Sequence, residues 1–198
     1  MATESLAKKA LWGVILALSG LLLQGCMSLA LRASPSLFPN MAATIFEECD
    51  PELAKAAIPP NLKLMEGLLR NDPENQRILT TLSMGFAGYA LLFVESEAPE
   101  RASAFYLRAL GYASRALGEK GVPLQNREGG PEPLRAALKN MDSKDLEALF
   151  WAAFSWSAWI NLNLDKPRAL AELSLSEACL KRVLELDEHF FHSAPHIL

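Results

Sequence analysis

The chain has 198 residues, half of them apolar, and a net charge of −4. That is ample material for one or two globular domains, and the apolar content excludes intrinsic disorder. With no basic cluster and no aromatics interleaved among Lys and Arg, the acidic balance excludes a nucleic-acid binder. Leu and Ala dominate while β-branched residues are scarce, which favours helices over strands.

Lys8 and Lys9 precede an apolar run from Ala10 to Leu23, and Leu23-Gln24-Gly25-Cys26 follows. A positive start, a short apolar stretch and a small residue before the cut make residues 1–25 a secretory signal. The Leu-x-Gly-Cys ending resembles a bacterial lipobox. That resemblance implies cleavage before Cys26, a thioether-linked diacylglycerol on its sulfur and acylation of its amine. Three acyl chains exceed the two signals that a stable anchor needs. Ser28, in place of an acid, points to the inner leaflet of the outer membrane. The alternative is an uncleaved anchor helix with an incidental Cys26, for which the apolar run is short. Cys49 and Cys179 are either a disulfide, which an exported chain permits, or two small apolar residues, the reading preferred here.

Residues 26–40 contain Pro35 and Pro39 and form a linker to the body, which spans 41–198. Met41 to Glu48 has a helical pattern. Asp50-Pro51-Glu52 then starts a helix by cap, proline and first-turn acid. Pro59 and Pro60 are expected to stop it at Ile58. Leu62, Met65, Leu68 and Leu69 stripe the next helix, and Asp72-Pro73-Glu74 repeats the cap-proline-acid start. From Pro73 to about Glu95 the inner stripe is Ile78, Leu79, Leu82, Phe86, Tyr89, Ala90 and Phe93. Gly85 and Gly88 share one face of that helix, where missing side chains let a neighbour approach.

Pro99 opens a helix that Gly118 stops. Lys120 to Glu132 is irregular, and Pro133 to Met141 is a short helix. Asp142 to Leu164 is the stretch around which the rest is organised, with Asp142 as the expected cap. It holds Trp151, Trp156, Trp159, Phe150 and Phe154, and between Ala148 and Ile160 only Ser155 and Ser157 are polar. A helix apolar on every side is buried in a core or in lipid, and these thirteen residues are too few to span a bilayer, which takes ~20. Beyond a turn at Asp165-Lys166-Pro167, Ser174-x-x-Glu177 has the form of a capping box. Asp187 to Leu198 suggests a connection and the first turn of another helix.

Helix pairs on short connections suggest a helical repeat. Ala102, Tyr106 and Ala109 match the second helix of a tetratricopeptide unit, and Asn71-Asp72-Pro73-Glu74-Asn75 matches its boundary. The fold class is all-α, with degenerate tetratricopeptide-like repeats forming an α-solenoid or helical bundle.

Several segments together resemble the T-component family of tripartite ATP-independent periplasmic (TRAP) transporters. They are the lipobox, Leu62-x-Leu64-x-Glu66-Gly67-Leu68-Leu69, Asp72-Pro73-x-Asn75, Gly88-Tyr89-Ala90-x-x-Phe93-Val94-Glu95 and Phe105-Tyr106-x-Arg108-Ala109. Phe150-Trp151 with Trp156 and Trp159-Ile160, and Arg182-Val183-Leu184-Glu185-Leu186-Asp187-Glu188, complete the set. The resemblance implies a periplasmic lipoprotein built of degenerate tetratricopeptide-like helices around a pore or cavity. It implies association with the solute-binding protein of a TRAP system, an apolar ligand and homo-oligomer formation. Members of the family continue past Ala194-Pro195-His196, so the domain is expected to be incomplete at its C-terminus.

Chemistry is sparse. His189, His192 and His196 stand beside Glu188, but Pro195 breaks any helix between the last two, so solvated histidines are expected rather than a metal site. No nucleophile elbow, phosphate loop or metalloprotease motif is present, and neither a catalytic residue nor a cofactor is expected. The ligand site is expected among Trp151, Trp156, Trp159, Phe86, Tyr89 and Tyr106. The alternative is an envelope scaffold lipoprotein with no small-molecule ligand.

Overall fold

A computed structural model describes residues 37–126 and 130–196. The signal, the lipobox with Cys26 and most of the linker lie outside the described residues. The described chain is all-helical. Its helices are α1 (Leu37–Phe46), α2 (Pro51–Leu69), α3 (Gln76–Tyr89), α4 (Pro99–Ala116), α5 (Val122–Gln125), α6 (Pro131–Lys139), α7 (Leu146–Asn161) and α8 (Pro167–Leu186), followed by a distorted helical turn, Phe190–Ser193. A π-helical turn, Ala90–Val94, extends α3, and 3-10 turns occupy Gly118–Gly121 and Ala194–His196.

The long helices stack in chain order. α4 lies between α3 and α7, and α7 between α4 and α8, while α2 packs on the outer side of α3 and α1 lies against α3 as well. α7 is enclosed as its composition demands: Leu149, Phe150, Ala152, Ala153, Trp156 and Ile160 are all essentially inaccessible. Together α3 and the π turn (Gln76–Val94) are long and apolar enough to cross a membrane, but most of the segment is buried in this core.

Polar side chains fasten the layers. Ser83 Oγ donates to the Ala109 carbonyl (2.8 Å) between α3 and α4, and Ser157 and Ser176 hydroxyls bond (2.7 Å) between α7 and α8. Asn163 Nδ2 donates to Ser103 Oγ (2.9 Å), fixing the turn after α7 to α4. Each replaces water at a buried polar group, so none is left with the full cost of desolvation.

Four local expectations are corrected. Helix α2 runs through Pro59 and Pro60 to Leu69 instead of stopping at Ile58. The prolines remove two donors, but Pro60 and Ala56 are exposed, so the freed Ala56 carbonyl can bond water, while Ile58 and Leu62 on the buried side hold the helix together. Helix α3 starts later than expected: Asn75 caps the Ile78 amide (3.2 Å) and Asp72 accepts from Asn75 Nδ2 (3.0 Å), making Asp72-Pro73-Glu74 a turn. Asp142 likewise belongs to a turn, accepting from the Lys144 amide (2.8 Å), and α7 begins at Leu146. Ser174 lies inside α8, whose start is set by Pro167, and Glu177 pairs with Lys181 (2.9 Å) instead of closing a capping box.

Asp50 caps α2 as expected, taking the Glu52 and Leu53 amides (2.9 and 3.2 Å). After α4, Gly118 adopts φ +59°, the left-handed geometry that ends a helix. The chain then turns so tightly that a Cβ on Gly121 would sit 1.9 Å from the Ser114 carbonyl oxygen. Gly121→Ala is therefore expected to destabilise the fold by roughly 3 kcal/mol, since a backbone atom must move. Gly67→Ala, in α2 with nothing within 4 Å, should instead stabilise it by ~0.5–1 kcal/mol. Urea denaturation midpoints of the two variants check both signs.

Candidate functional site

The aromatic residues singled out from the sequence are mostly interior. Trp156 and Tyr106 are fully buried, and Trp151, Trp159 and Phe86 are at most 7% exposed. Trp156 Nε1 donates to Glu172 Oε2 (2.8 Å), whose other oxygen accepts from Arg168 (3.1 Å). The Tyr106 hydroxyl donates to Glu95 at the end of the π turn, and burial followed by that carboxylate raises its pKa far above the ordinary tyrosine range. Phe86 stacks on Tyr112 (5.8 Å between centroids) under the Arg108 guanidinium (4.4 Å). Trp151 packs against Phe150, Phe154 and Phe191. Its indole N–H and the Ser155 hydroxyl are buried without a hydrogen-bond partner among the described residues.

The recess lies on the other side of α3, and of the six residues only Tyr89 lines it. It is a cleft of about 630 Å³ between α1, α2 and the α3–π segment, within the range of small-molecule sites. Met41, Ile45 and Phe46 form the α1 wall, and Ala54, Ile58 and Leu62 the α2 wall. The floor contains Gly85, Gly88 and Leu92. The two glycines act differently. A Cβ on Gly85 would stand 2.6 Å from Leu62 Cδ2, so this one admits the close approach of α2. A Cβ on Gly88 would meet nothing within 4 Å, so here the missing side chain is open space. The π turn reorients the end of the helix, and Leu92, 66% exposed, stands at the cleft with Phe46, 61% exposed.

Most polar side chains of the lining make a local hydrogen bond. Thr44 Oγ1 donates to the Met41 carbonyl (2.8 Å), Thr81 Oγ1 to Arg77 (2.8 Å) and Asn61 Nδ2 to Ala57 (2.9 Å). Glu48 accepts the Asp50 amide (2.8 Å), and Cys49 Sγ points to the Glu47 carbonyl (3.6 Å). An occupant therefore meets a mainly apolar wall, with the Tyr89 hydroxyl, the Asn61 side-chain oxygen and the Glu48 carboxylate as its polar points. Sequence reasoning missed this site because aromatic weight drew attention to α7; the Gly85–Gly88 pair was the available signal.

The remaining candidates have structural settings. Cys49 and Cys179 are free thiols, the first exposed and the second buried. His189 is exposed and lies 3.6 Å from Glu188. Among the described residues no group of three or more His, Cys, Asp or Glu side chains gathers as metal ligands would.

Glu66 holds the α2 wall in place. Its carboxylate accepts from Lys63 of α2 and from Arg108 and Tyr112 of α4, bridging the two helices beside α3. Burial alone would raise its pKa, but hydrogen bonds from Lys63 and Tyr112 and the charges of Arg108 and Lys63 outweigh it and hold the group below its ordinary 4.5. A lowered folded pKa contributes stability above the unfolded pKa that is lost as pH falls through the folded one. Glu66→Gln is therefore expected to cost about 1 kcal/mol at pH 7, the low end for charge-assisted bonds with exposed partners. The loss should shrink below pH 4.5, as denaturation at pH 7 and pH 3 would show.

Comparison with curated proteins finds no match. The family model of the TRAP transporter T-component matches residues 47–198, from the loop before α2 to the end of the chain. The match takes in two walls of the cleft and the whole helical core, and the chain belongs to the TRAP transporter T-component family.

Proposed function

We propose that this T-component is a periplasmic lipoprotein, held at the outer membrane through Cys26, whose cleft between α1, α2 and α3 binds an apolar ligand exchanged with the solute-binding protein of its TRAP system. The observation that carries the reading is the predominantly apolar cleft wall, on which Thr44, Asn61 and Thr81 donate to carbonyls of their own helices. A predominantly apolar wall favours apolar surface over sugars and small acids, whose many polar groups would lose water with little replacement. The tether supplies the second half of the mechanism. Confined to a membrane surface, the cleft meets its partner at a raised effective concentration without any gain in intrinsic affinity. Sequential stacking of α3, α4, α7 and α8 supports a tetratricopeptide-like repeat, an architecture suited to docking another protein or a second copy of itself. Leu164, Leu170 and Leu173, about half exposed, favour such docking on the α7–α8 side.

The test is to fill the cleft. Gly88→Leu extends a side chain into open space and removes a poor helix residue, so the fold should be at least as stable as before. Binding of the apolar fluorophore diphenylhexatriene is expected to weaken by roughly tenfold or more, a loss of ~1.4 kcal/mol. Unchanged affinity in a variant with an unchanged melting temperature would remove the cleft from the mechanism. Capture of the solute-binding protein by both forms separates docking from ligand binding.

A further inference from the structure

We infer that the cleft of the resting protein is occupied by one acyl chain of the protein's own anchor on Cys26. The inference rests on the reading of Cys26 as lipidated and identifies the first ligand of the proposed site. Helix α1, one wall of the cleft, is also the helix nearest the anchor: ten residues, 27–36, separate Cys26 from Leu37. Extended, that stretch covers up to ~36 Å. Met41 and Ile45, which face the cleft, lie only ~6 and ~12 Å along α1. A chain on Cys26 can therefore return to the cleft without displacing the helix.

The chemistry fits the same occupant. The cleft wall is mainly apolar, and Thr44, Asn61 and Thr81 direct their donors to their own helices, which suits a hydrocarbon chain with no hydrogen-bonding groups along its length. Its volume of about 630 Å³ is that of a site for a single ligand, so the other two chains stay outside. Two lipid chains suffice for stable anchoring, so the third is free to leave the bilayer. Without an occupant, the cleft and the exposed Leu92 and Phe46 at its edge would face water as one apolar patch. With its own chain in place the protein carries a plug that an incoming apolar molecule must displace, and loading of the cleft is coupled to the depth of the anchor.

Cys49 gives a native reporter. It lines the cleft as an exposed free thiol. Cys179 is silent, since complete burial pushes its thiol up to about 12, and a thioether blocks Cys26. The full chain is reconstituted in phosphatidylethanolamine–phosphatidylglycerol vesicles, the mass of its N-terminal peptide is measured, and the rate of Cys49 alkylation by N-ethylmaleimide is followed. The reference is unlipidated protein, Cys26→Ser behind a conventional cleavable leader, mixed with the same vesicles. A cleft filled nine-tenths of the time slows alkylation roughly tenfold relative to that reference. In the Gly88→Leu background the ratio of the two rates should collapse to one. A peptide mass without lipid removes the anchor reading and this inference with it. Lipid present with equal rates overturns the inference alone, and a slow rate that survives Gly88→Leu assigns the protection to the bilayer. Protection of the unlipidated form by a co-purified apolar molecule, or by raised protein concentration, makes a foreign ligand or a second copy the occupant and likewise overturns it.

Discussion

A helix without a polar face cannot meet water on any side, and α7 imposes that constraint on everything around it. Four layers answer it. α4 and α8 cover opposite flanks, α3 closes a third, and the terminal turn at Phe190–Phe191 covers the aromatic end, with Phe190 5.2 Å from Phe150 and Phe191 5.3 Å from Trp151. Once α3 has turned one face to α4 and α7, only its outer face is left for α1 and α2. The cleft forms on that outer face, where two helices share a surface that neither covers fully. Enclosure of α7 and openness beside α3 are thus two results of one packing problem.

The buried polar groups follow the same division. Inside the core they cross between helices: Ser83 to α4, Ser157 to α8, Trp156 to Glu172, Tyr106 to Glu95. Around the cleft they fold back onto their own helices, as Thr44, Asn61 and Thr81 do. The first pattern fixes the register of neighbouring elements, because each bond is lost if one helix slides. The second fixes nothing between elements and leaves a mainly apolar surface. Polar residues therefore tie helices together in one place and leave a mainly apolar recess in the other.

Much of the helical order could be read from the sequence, because the relevant signals are local. Pro51 behind Asp50, the stripe from Ala102 to Leu117 and the stop at Gly118 each describe one helix end or face, and the structure has them where expected. Failures came where a local rule was overruled from outside. Pro59 and Pro60 break a helix only if the freed carbonyls have no other partner and the flanking turns are not held, and here solvent reaches one side while Ile58 and Leu62 hold the other. Ser174 resembles a cap, yet Pro167 had already set the helix start seven residues earlier. The site was harder still. Large aromatic side chains mark buried volume equally well whether that volume is core or cavity, so Trp156 and Tyr106 gave no means of choosing. Gly85 and Gly88 are identical in sequence, and only the position of Leu62 makes one a contact and the other a space.

The separation of core from cleft bears on which residues can vary without cost to the fold. The residues that enclose α7 are interlocked, and a change in any of them is felt by its neighbours. The α2 wall joins that core through its buried face, where Ile58, Leu62, Met65 and Leu69 pack, and through the Glu66 carboxylate between α2 and α4. Met41, Ile45, Met84 and Leu92 can change size or shape without disturbing the enclosure of α7, because none of them lies fully inside it. Methionine adapts readily to irregular contacts, and two of these four are methionine. Side chains on the α1–α2 side of the cleft can therefore vary while the fold is secured by the tryptophan-rich α7.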